Sequence, residues 1–85
     1  MKEKVASLVD KKIASLNLYV SDVYYSEEEG IKTLNIELDS EDVIDLNKVT
    51  EATKIINPIM DASNLIGDVD VLDIHSKSKG DDKDE

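Results

Sequence analysis

The stretch "IKTLNIELD", Ile31 to Asp39, alternates without interruption. Leu34, Ile36 and Leu38 fall on one side and Thr33, Asn35, Glu37 and Asp39 on the other, which is the two-residue period of a β-strand. A strand patterned this way has one dry face and one wet face. Whatever covers the dry face must come from elsewhere in the chain, and the wet face is left bare.

Two helical stripes supply the cover. Val5, Leu8, Val9, Ile13 and Leu16 recur at helical spacing with lysines between them, predicting an amphipathic helix over residues 2–16 that stops at Asn17. Asp45 is suited to cap a second helix, in which Leu46, Val49, Ala52, Ile56 and Ile59 form the stripe. Pro58 lies inside that pattern and is expected to kink or tighten its last turn near Asn57, and "DASNLIGD" to break the helix. Between the two helices, "YVSDVYYS" is rich in β-branched and aromatic residues, and "EEEG" provides a turn in which Gly30 can take a positive φ. The first strand's dry side reads as Val23 and Tyr25, with an irregularity near Val20. "VDVLDIHS" closes the order as a third strand, Leu72 and Ile74 inward, Asp73 and His75 outward. Helix, strand, strand, helix, strand predicts an α+β domain of two layers: a three-stranded mixed sheet with two helices on one face. The path from the second strand through the second helix to the third is that of a right-handed crossover, so those strands are expected parallel. The strand order stays open.

Charge narrows the function. The 85 residues carry 20 acids against 10 lysines, with no arginine, for a net charge of −10. Residues 1–21 hold four lysines against Glu3 and Asp10 (+2), residues 22–51 ten acids against Lys32 and Lys48 (−8), and residues 52–85 eight acids against four lysines (−4). The negative field therefore centres on the hairpin and the loop after it. Such a field repels phosphate backbones and attracts basic partners, so little direct nucleic-acid affinity is expected. The start "MKEKVASLVDKK" has no continuous apolar run, no stretch is apolar enough for a membrane span, and there is no cysteine. A soluble, cytoplasmic, monomeric protein is the expectation.

No constellation for chemistry stands out. Only Gly30, Gly67 and Gly80 occur, so there is no glycine-rich phosphate loop, and no nucleophile motif surrounds a serine. "DSEDVID" lacks the sixth-position glycine and distant bidentate Glu of a calcium loop. His75, the one histidine, has no second histidine or cysteine with which to share a metal, and reads as an exposed spectator. The expectation is no enzyme, no catalytic residue, no cofactor and no metal. What remains is the acid set Glu27, Glu28, Glu29, Glu37, Asp39, Glu41 and Asp42, drawn from a turn, one strand face and the following loop. If these converge on one sheet edge they make a docking surface for a basic protein; otherwise they are a solvated face. Tyr19 and Tyr24 are candidate anchors beside them, or cross-strand packing. Lys4, Lys11 and Lys12 make a small basic end on the first helix.

Several segments taken in order resemble a known family. "LNLYVSDVYY", "EEEG", "IDLNKVTEATKIINPIMD" and "VLDI" are similar to the N-terminal domain of the RimP ribosome maturation factors, across nearly all of residues 4–76. Asp22, Val23, Tyr24 and Tyr25 match the family's Asp-Val-x-Tyr strand. At the second helix, Leu46, Asn47, Lys48 and Val49 stand where the family has Leu-Asp-Asp and Val or Cys, so both acids are replaced. Leu72, Asp73, Ile74, His75 and Ser76 match the strand part of the family's Leu-Glu-Val-Ser-Ser-Pro-Gly signature, but Lys77 and Ser78 stand in place of proline and glycine. The expected organisation is a RimP N-terminal-like domain over 1–76 and a disordered charged tail over 77–85, without the family's second, β-barrel domain. The resemblance implies a non-catalytic factor acting on the small ribosomal subunit, in part through a basic ribosomal protein. The alternative is an acidic adaptor of the same fold with no ribosomal role.

Overall fold

A computed structural model describes residues 2–65 and 67–77. Helix α1 (Lys2–Ile13) runs into a single 3₁₀ turn (Ala14–Leu16) and ends on Asn17, whose left-handed φ of 61° is the helix-terminating conformation that asparagine tolerates. Strands β1 (Tyr19–Glu28) and β2 (Ile31–Asp39) pair antiparallel, helix α2 (Leu46–Ser63) follows, and β3 (Val71–Ser76) pairs parallel to β2. The strand order is β1-β2-β3, so β2 is the central strand. Both helices pack on one face of the mixed sheet, as expected of an α+β domain.

The core lies between the layers. Val5, Val9 and Ile13 of α1, Leu34, Ile36 and Leu38 of β2, and Ala52, Ile56 and Met60 of α2 are all fully buried. The alternation in β2 is thus obeyed on its dry side at Leu34, Ile36 and Leu38.

The cover departs from the sequence reading at its margins. Leu8 is exposed, because the buried line of α1 advances by four residues and leaves Leu8 at its flank. Leu46 is 83% exposed in the first turn of α2, beyond the sheet's reach, and Met60 takes the core position expected of Ile59, which is only partly buried. Pro58 does not end the helix, which continues to Ser63 with Asn64 at φ 63° as its terminator. Asp45 caps α2 as expected: its Oδ1 accepts the Lys48 N–H at 2.9 Å.

Tyr25 was expected on the dry side. It is on that side, paired with the buried Leu34, yet 55% exposed. The irregularity near Val20 is a bulge between Val20 and Asp22, with Ser21 as the extra residue. The bulge keeps both Val20 and Val23 in the core. The ladder reaches one residue past β3, where the Lys77 N–H donates to the Leu38 carbonyl. The rest of the expected tail, 78–85, lies outside the described residues. No helix among the described residues is long and apolar enough to cross a membrane.

Candidate functional site

The helices leave one face of the sheet bare, and alternation decides what stands on it. Beyond the bulge, Asp22, Tyr24, Ser26 and Glu28 point away from the core, as do Ile31, Thr33, Asn35, Glu37 and Asp39 of β2 and Val71, Asp73 and His75 of β3. Register aligns them in rows: Asp22, Glu37 and His75 across one, Tyr24, Asn35 and Asp73 across the next. The bulge also swings Tyr19 onto this face, where its hydroxyl donates to Asp39 Oδ2 at 3.4 Å.

The centre of the face is pinned. Asn35 is 7% exposed, and its side-chain N–H₂ donates to the Ser26 hydroxyl at 2.9 Å and the Tyr24 carbonyl at 3.3 Å. A buried amide with both donors used holds β1 and β2 in one register. His75 lies on the open face, as its strand position predicts, and is half-buried there. Its Nε2 lies 3.7 Å from Glu37 Oε2 and its Nδ1 3.6 Å from Asp73 Oδ1, and the Tyr24 ring meets it edge-on at 6.5 Å. The imidazole therefore lies between carboxylates of two strands, with a tyrosine ring at its edge.

The seven acids singled out in the sequence do not converge on one edge. Glu37 and Asp39 stand on the open face of the central strand, and Glu28 joins them at the hairpin end. Glu29 is at the turn, and Glu27 points to the helix side, paired with Lys32. Glu41 and Asp42 lie in the loop beyond the other end of β2. Nine strand residues separate the two ends, about 26 Å at 3.3 Å per residue. Sequence reasoning left two carboxylates out of the set: Asp22, visible only once the bulge fixes its side, and Asp73, brought beside Asn35 by the parallel register of β3.

Five carboxylates thus share the open face (Asp22, Glu28, Glu37, Asp39 and Asp73), and its strand residues include no lysine or arginine. Asp22 and Glu37 are directly opposite, a like-charge pair that opposes folding. Asp22 softens this by turning its Oδ1 to accept its neighbour's N–H, from Val23, at 2.8 Å. Among the described residues, no group of three or more metal-ligating side chains is arranged to hold an ion. Chemically, the face can receive cations spread over an extended surface. On the helix side, a groove of about 670 Å³ opens between the hairpin and the loop before β3, lined by Tyr25, Glu27, Lys32 and Asp68 among others.

The sequence model of the RimP N-terminal domain matches residues 8–77, from the middle of α1 to the residue after β3. The chain belongs to the RimP N-terminal domain family. RimP proteins are ribosome maturation factors, and membership of the family suggests a role in ribosome maturation for this chain.

Proposed function

We propose that this RimP N-terminal domain is a non-catalytic binding module of small-subunit assembly, working in the cytoplasm. It engages a basic ribosomal protein of the immature small subunit through the acidic open face of its sheet. The observation that carries this reading is the gathering of Asp22, Glu28, Glu37, Asp39 and Asp73 on the sheet face opposite the helices, without a strand lysine among them. Glu27, Glu29, Glu41 and Asp42 extend the negative field around its ends. Phosphate backbones are repelled by the same field, so contact with protein rather than RNA supplies the affinity.

Co-sedimentation of the domain with immature small subunits tests this. Binding is expected, and it should weaken steeply as salt rises from 0.1 M to 1 M and the screening length falls from about 10 Å to about 3 Å. Binding indifferent to salt would remove the acidic docking surface. No binding to subunits, with capture of another basic protein instead, would leave the adaptor function in its place.

A further inference from the structure

The two edges of the sheet are treated differently. The two-residue hairpin makes Glu28 and Ile31 a hydrogen-bonded pair, so the backbone groups of Val23, Tyr25 and Glu27 point outward from β1. Beyond the bulge, Val20 does the same. Two of these outward N–H groups are occupied: Val20 donates to Asp10 Oδ1 at 2.9 Å and Val23 to Asp22 Oδ1 at 2.8 Å. The remaining two sit beside the acidic tip, Glu27 to Glu29. Carboxylates and charge at an edge are the means by which sheets avoid pairing with another strand.

The β3 edge is guarded less, with Asp73 the one carboxylate in its strand. The Lys77 bond to Leu38 fixes the parity of the parallel ladder, in which alternate residues turn both backbone groups to the neighbour. Val71, Asp73 and His75 therefore face β2, and the backbone of Leu72, Ile74 and Ser76 faces outward. No side chain of a described residue bonds to those outward groups. The side chains along this edge are only half covered: Leu72 and Ile74 on the helix side are partly buried, and Val71 on the open side is 45% exposed.

We infer that the β3 edge is a strand-addition site for an extended, lysine- or arginine-bearing segment of a basic protein, an inference that rests on the basic-partner reading above. An added strand would continue the sheet. Its alternate apolar side chains would extend the Leu72–Ile74 row over the core, and its basic side chains would lie on the open face beside Asp73, one strand from Glu37. Charge selects this occupant over a second copy of the chain: two chains at −10 each repel, and a basic strand is attracted.

The probe is a synthetic peptide of about eight residues, alternating lysine and valine, titrated into the isotope-labelled protein. A matching peptide with threonine in place of lysine serves as the neutral control. The amides of Leu72, Ile74 and Ser76 are expected to shift and gain protection from hydrogen exchange. Ser76→Pro removes one outward N–H while leaving the bonds to β2, and should weaken binding about tenfold. The exchange result on the unaltered protein stands even if that variant folds poorly. Shifts confined to Asp22, Glu37 and Asp39 would overturn strand addition and leave the basic-partner reading in place. Equal binding of the threonine peptide at the edge would overturn the basic character of the occupant. Protection of the same amides by self-association, without peptide, would overturn the inference in favour of a second copy, and no protection under any condition would overturn it outright.

Discussion

Glu29 holds a left-handed φ of 53° beside Gly30 at 82°, the pair of positive angles that a tight two-residue hairpin turn demands. Glycine meets that demand freely, but a glutamate strains at it by roughly 1 kcal/mol. Glu29→Asn should therefore raise stability by about 0.5–1 kcal/mol, seen as a melting temperature several degrees higher. An unchanged or lower melting temperature would mean that Glu29 contributes a contact worth more than its strain. The turn itself was legible from "EEEG", because glycine marks it; that the residue before it shares the strain was not. At other single positions, side and burial came apart. Tyr25 lies on the dry side that alternation assigns, yet it is exposed because the helices do not cover that end of the sheet. Leu46 is apolar and correctly phased, but sits in a first turn that meets no sheet. Periodicity reports direction and says nothing of where a partner element stops.

At the scale of elements, the helices, the three strands and the Asp45 cap could all be read, since each depends on local spacing or a local hydrogen bond. Strand order could not, because nothing in a loop's sequence states which edge the next strand joins. The bulge at Ser21 illustrates both sides of this. "YVSDVYY" breaks strict alternation and so announces an irregularity, but the device that stabilises it is distant in sequence. Asp10 of α1 accepts the Val20 N–H at 2.9 Å and fastens the helix to the bulged strand. Asp10→Ala should cost about 1–2 kcal/mol in urea denaturation, with the slope unchanged. It should also loosen the guarded edge of β1. Stability equal to that of the unaltered chain would show that water replaces the carboxylate without loss.

For the whole molecule, sequence supplied the charge and structure supplied its distribution. Glu37 and Asp39 were recognisable as members of a wet strand face. The side of Asp22 depended on the bulge, and the position of Asp73 on the register of a strand more than thirty residues away. His75, isolated in sequence, comes to lie between two of those carboxylates. A net charge of −10 would draw any basic protein weakly from any direction. For this RimP N-terminal domain, the proposed docking requires that location, and not only total charge, determine binding. Two triple variants with the same change in charge separate these. Glu28→Lys, Glu37→Lys and Asp73→Lys alter the open face, whereas Glu3→Lys, Glu51→Lys and Asp61→Lys alter the exposed side of the helix layer. The deciding measurement is the affinity of each for immature small subunits at one fixed salt concentration. The open-face variant should lose binding by tenfold or more, on the order of 1.4 kcal/mol, while the helix-layer variant stays close to the unaltered domain; equal losses in both, or full binding by the open-face variant, would contradict the account.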